Sequence, residues 1–76
     1  MDWKKHIVSE PKVLFGKPRI KDTRISVVLI LEKLGNGVSK SDLLEAYPHI
    51  SEEQIQACIS YAADTLKSEV AYSDEK

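Results

Sequence analysis

Four cations stand within eight residues: Lys17, Arg19, Lys21 and Arg24. If this stretch is extended, side chains alternate between faces, so Lys17, Arg19 and Lys21 share one face and Ile20 takes the other. A two-stranded ribbon carrying cations can contact a groove or the phosphate backbone of DNA, or meet an acidic protein surface. The same pattern describes a solvated strand face whose edge lysines block aggregation. Arg24 directly follows Thr23 and completes the group. A second polar set, Glu52, Glu53, Gln54 and Gln56, opens the longest apolar periodic run of the chain. Glutamine can pair with adenine and glutamate can accept from cytosine. Two carboxylates there oppose the attraction to phosphate, yet they suit the positive end of a helix dipole.

Catalytic chemistry finds little to work with. His6 and His49 are 43 residues apart, without ligand spacing, and His49 falls in a turn. There is no Gly-rich phosphate loop and no serine in an activating motif. Asp22, Thr23 and Arg24 offer an acid, a hydroxyl and a cation, but so short a chain implies no pocket around them. The expectation is a non-enzyme with no metal and no cofactor. Cys58 is the single cysteine, expected in or near the core, and it fits a reducing compartment. No apolar run approaches the roughly 20 residues that span a bilayer, and MDWKKHIVSEPKV has no secretion-signal core, so the expected location is the cytoplasm, away from membranes.

The net charge of -1 is divided along the chain: residues 1–40 hold nine Lys or Arg against four Asp or Glu, a balance of +5, and residues 41–76 a balance of -6. The basic half suits phosphate or an acidic surface; the acidic half repels DNA. At 76 residues the chain is one domain of marginal stability, which a second subunit would relieve.

The elements that must position these groups are legible from caps and spacing. Ser39 with Asp42, and Ser51 with Gln54, each resemble a capping box, and Ile50 with Ile55 has the spacing of a hydrophobic staple. Pro48 separates the two helices these boxes open, about Lys40–Tyr47 and about Glu52–Glu69, and the pair is a helix-turn-helix. Ile55, Ile59, Ala62, Leu66 and Val70 form the expected buried stripe of the second. Upstream, Ile25–Leu34 is ambiguous by residue type. Gly35, Asn36 and Gly37 supply a helix C-cap, so a helix is expected from about Val27 to Leu34, with Leu43, Leu44 and Tyr47 of the next helix also inward. Val28 and Leu29 lie off its core stripe and are expected to pack against a second copy. Two short strands are expected around Asp22, with another extended segment from Trp3. The chain thus divides into a β-hairpin arm at 1–26, a three-helix core at 27–70 and a frayed tail at 71–76.

Gly16-Lys17-Pro18-Arg19-Ile20, then Thr23-Arg24-Ile25-Ser26-Val27, Gly37-Val38-Ser39, Tyr47-Pro48 and Ile55–Ala62 together resemble the bacterial and archaeal domain of unknown function 433 family, over about Ile7–Ala63. The resemblance implies a mainly α, homeodomain-like three-helix bundle with a helix-turn-helix, preceded by a short N-terminal β-hairpin. It also implies an antitoxin of VapB type encoded beside a PIN-like nuclease. In the family's Thr-Arg pair, matched here by Thr23 and Arg24, the arginine is expected to fix the turn by hydrogen bonds to backbone or to a carboxylate. The family usually has glycine where this chain has Asp22, which tolerates positive φ less freely. The expected function is therefore that of an antitoxin, homodimeric, binding a PIN-like toxin and its own operator DNA through Lys17, Arg19, Lys21, Arg24, Gln54 and Gln56, with Val28 and Leu29 at the dimer interface. The alternative is a stand-alone DNA-binding transcriptional regulator.

Overall fold

The computed structural model describes residues 1–69; Val70 and the tail expected at 71–76 lie outside the described residues. Within them the chain is mainly helical, with three α-helices behind a short two-stranded antiparallel sheet. The elements are β1 (Ile7–Val8), β2 (Arg19–Ile20), α1 (Val27–Gly35), α2 (Lys40–Ala46) and α3 (Glu52–Glu69), with single 3₁₀ turns at Trp3–Lys5 and Leu14–Gly16.

Each helix begins where a side chain satisfies its free N–H groups. Ser26 Oγ accepts from the Leu29 N–H at 3.1 Å, and Ser39 Oγ from Asp42 at 3.0 Å. At α3 the capping box is reciprocal: Gln54 donates its N–H to Ser51 Oγ, while its Oε1 accepts from the Ser51 N–H at 2.8 Å. α1 closes through a Schellman turn, with Gly37 at φ 91°, its N–H on Leu34 O and the Val38 N–H on Lys33 O, both at 3.0 Å.

The core joins all three helices and the sheet. Ile7, Ile20, Val27, Ile30, Leu43, Ile50, Ile55, Ala57 and Cys58 are its buried residues, with Leu31, Leu34, Leu44 and Tyr47 packed against them. Both staple residues, Ile50 and Ile55, are in it. On α3 the buried line turns through Ala57 and Cys58, so Leu66, expected inside, is exposed. The arm meets only part of α3: Trp3 packs edge-on against Tyr61 with ring centres 4.8 Å apart, and its indole N–H donates to Asp64 at 2.7 Å.

The sheet differs from the expected pairing. β2 pairs with β1, Ile7 opposite Ile20 and Val8 opposite Arg19, rather than with the segment after Asp22, which adds only a bridge from Arg19 to Ser26. Trp3–Lys5 is a 3₁₀ turn and not strand. The physical reason is that the chain has no extended length left after the turn: Ser26 already caps α1, so pairing on that side stops at the bonds from Ile20 N to Ile25 O and from Val27 N to Pro18 O.

Asp22 sits at φ 65°, the left-handed region where glycine is unstrained. Asp22→Gly is therefore expected to leave stability unchanged or slightly raised. Asp22→Val, β-branched at positive φ, is expected to cost about 1–2 kcal/mol and to lower the thermal midpoint by roughly 5–15 °C. A valine variant that melts with the parent would show that the turn does not depend on this backbone angle.

Candidate interaction surface on the N-terminal arm

The cations of the arm do not share one face. Arg19 is only 7% exposed. Its Nη1 donates to Thr23 O at 2.9 Å and its Nη2 pairs with the Glu10 carboxylate. It is turned inward because both faces of the two-residue strand are covered, Ile20 reaching the helical core while Arg19 meets the Glu10–Val13 turn. Arg19 thus performs the turn-fixing role expected of Arg24. Arg24 is exposed instead, as are Lys17 and Lys21. Among the described residues, none of these three side chains makes an ion pair or a hydrogen bond.

Thr23 is the hub of the turn. Its hydroxyl donates to Ile20 O at 2.7 Å and accepts from the Ile25 N–H at 3.0 Å, while its carbonyl receives Arg19. Ile20 in turn donates to Ile25 O at 2.9 Å, and Val27 to Pro18 O at 3.0 Å, so the arm is tied directly to the start of α1. Sequence does not single out Glu10, and it offers the Thr23 hydroxyl only as a member of a catalytic set, not as the hub of a turn. Glu10 and Arg19 are nine positions apart, and the segment between them carries no periodic signal linking them.

At the start of α3 the two glutamines are engaged within the chain. Gln54 Oε1 closes the capping box, and Gln56 Oε1 accepts from Lys40 Nζ at 2.9 Å, tying α3 to α2. Glu52 and Glu53 are exposed beside them. The acidic start of α3 and the exposed cations of the arm are therefore opposite in charge. His49 is exposed in the turn, and among the described residues no three His, Cys, Asp or Glu side chains gather in a metal-ligating group. Cys58 is fully buried, and burial pushes its thiol up to about 11, which keeps it protonated near neutral pH.

One feature of the arm had no sequence signal. Leu14, Phe15 and Gly16 take successive positive φ angles of 52°, 55° and 80°. Non-glycine residues pay roughly 1–2 kcal/mol each for that conformation. The result is a Phe15 ring 97% exposed. Leu14 and Phe15 border an open cleft of about 380 Å³ whose other walls are Lys17, Arg24, Ser26 and Leu29. Val28, one residue on, is 51% exposed. A second open hollow of about 370 Å³, lined by Val13, Arg19, Asp22, Thr23 and Arg24, lies over the turn itself.

Among the described residues no helix is long and apolar enough to cross a membrane. A family model described as protein of unknown function (DUF433) matches residues 7–62. A crystal structure of a DUF433 member protein from Anabaena variabilis superimposes with a TM-score of 0.72 at 29% sequence identity, covering 86% of this chain and 67% of that one. No curated protein matches the chain.

Proposed function

This chain belongs to the DUF433 family of proteins of unknown function, and from that premise we propose that it is the antitoxin of a toxin–antitoxin pair, acting in the cytoplasm on a PIN-like nuclease. The observation that carries this reading is the set of three exposed cations, Lys17, Lys21 and Arg24, none with a partner among the described residues. Cations left unpaired on an arm that is otherwise closely hydrogen-bonded are available to an outside anion. The metal-binding carboxylates of a PIN-type cleft are such a group, and a basic side chain placed among them would exclude the metal and the RNA together. On this reading the protein works by occupancy and performs no catalysis of its own. α2 and α3, with the Tyr47–Ser51 turn, form a homeodomain-like helix-turn-helix in the same reading, which would let the protein repress its own operon.

A second reading, a stand-alone DNA-binding regulator, draws on the same three cations. Against base reading by α3 stand the internal engagement of Gln54 and Gln56 and the two exposed carboxylates at its entry. DNA would then be held mainly through the arm.

The test is co-purification of the tagged protein expressed from its native locus, with mass spectrometry of what remains bound. A stoichiometric PIN-like protein, lost when Lys17, Lys21 and Arg24 are changed to glutamate, is the expected result. Recovery of the protein alone would sink the antitoxin reading. The regulator reading then predicts a steep salt dependence of binding to upstream DNA, about 0.9 in log-log slope per phosphate neutralised. Neutralising the three cations should flatten it by up to about 2.7.

A further inference from the structure

We propose that the apolar face formed by Leu14, Phe15, Val28 and Leu29 is a two-fold seam between copies of this chain, closed at each end by an ion pair between Arg24 of one copy and Glu32 of the other. The proposal goes beyond the antitoxin reading: it pairs Arg24 within the dimer and leaves the exposed Lys17 and Lys21 to whichever partner the arm meets.

The first observation is the presentation of Phe15. Its ring is 97% exposed, at φ 55° between two other positive-φ residues. The loop is not loose: the Gly16 N–H donates to Val13 O at 3.0 Å and the Lys17 N–H to Leu14 O at 3.1 Å. A strained backbone held by its own hydrogen bonds in order to display an aromatic ring is what a contact surface requires. The second is continuity. Phe15 borders the same cleft as Leu29, and Val28 is exposed next to it on α1. A fully displayed phenylalanine offers roughly 200 Å², and the neighbouring apolar edges bring the patch to on the order of 350 Å². Doubled, and with the roughly 60% apolar share usual for interfaces, this corresponds to about 1,200 Å² in total, the lower limit for a stable pair.

The third observation selects the occupant. Glu32 follows Val28 by one helical turn and is exposed, while Arg24 stands just before the start of α1, also exposed; among the described residues neither has an ion-pair partner. If two α1 helices cross antiparallel between Val28 and Leu29, position 32 of each falls opposite position 25 of the other, within reach of the long Arg24 side chain. Charges of opposite sign on the two sides of an apolar centre are self-complementary under a two-fold axis. A face built for a purely acidic partner would have no use for Glu32.

Sedimentation velocity across a range of concentrations tests the proposal, using the full chain. The parent should sediment as a dimer at tens of micromolar. Phe15→Ser, a change at a residue with almost no contacts to lose in the monomer, should sediment as a monomer with an unchanged circular dichroism spectrum. Arg24→Glu and Glu32→Arg should each weaken the dimer by about tenfold or more, and the double exchange R24E/E32R should restore it to within a few-fold of the parent. A parent that stays monomeric at millimolar concentration overturns the proposal. So does a dimer indifferent to Phe15→Ser, or one in which the double exchange is no better than the single changes.

Discussion

Arg19→Ala is expected to lower the thermal midpoint by roughly 10–20 °C, a loss of about 2–3 kcal/mol in a domain of this size. Changing Lys17, Lys21 and Arg24 together to alanine is expected to move it by only a few degrees. The difference follows from where each cation sits. Arg19 is 7% exposed, holds the Thr23 carbonyl at 2.9 Å and pairs with Glu10. Its removal leaves a hole beneath the Glu10–Val13 turn and deprives Thr23 O of its donor. Glu10, with a side chain 58% exposed, is screened by water, so Glu10→Ala should cost well under half as much. Arg19→Met tests the division further: its aliphatic body keeps the packing of the arginine stem, and it removes an Nε–H that is buried without an acceptor among the described residues. Methionine should recover part of the loss, and the part it fails to recover measures the hydrogen bonds. Differential scanning calorimetry of the four variants checks the ordering. If the triple alanine variant collapses and Arg19→Ala does not, the arm is held by its surface charges and the assignment of Arg19 is wrong.

The exchange of roles between Arg19 and Arg24 shows where the sequence was legible and where it was not. Helix positions depend on neighbours within four residues: a serine before each helix, Gly37 after α1, Pro48 between α2 and α3. Those signals are printed in the chain: α1 and α2 start and stop, and α3 starts, within a residue or so of the expected bounds. Cys58 in the core follows from its being a lone cysteine and not from the helical spacing, whose expected stripe passes it by. The direction of Arg19 depends on β1 pairing with β2 across ten intervening residues and on a turn folding over the strand, and no local period encodes either. Alternation gave the wrong face because it assumes one wet side, and a two-residue strand covered on both sides has none. Leu66 failed for a related reason. The arm covers α3 as far as Tyr61 and Asp64, and Leu66 lies beyond that contact, so an apolar residue at the right helical spacing has nothing to pack against. The display of Phe15 was illegible altogether, since successive positive φ angles at leucine and phenylalanine contradict the preference of both residue types.

Deleting residues 1–24 should abolish cooperative folding, although it leaves all three helix-forming segments intact. An arm merely appended to a helical domain would be dispensable. Here it supplies Ile7 and Ile20 to the core, and Trp3 to the flank of α3. Losing two buried isoleucines exposes on the order of 3–6 kcal/mol of apolar burial by area alone, before the indole is counted. A small domain has about 5 kcal/mol in total, and the remaining helices would be a compact, loosely packed chain at best. The fragment is expected to keep some far-ultraviolet helical signal, to bind a hydrophobic dye, and to show poor dispersion in its amide proton spectrum with no sharp melting transition. A fragment 25–76 with a dispersed spectrum and a cooperative transition near that of the full chain would show that the arm is an appendage after all. The expected collapse would instead mean that the surface presenting Lys17, Lys21, Arg24 and Phe15 cannot be detached or rearranged without unfolding the helices. Whatever the arm binds would then also stabilise the whole domain, and a bound partner should raise the midpoint of α3 as much as that of the arm itself.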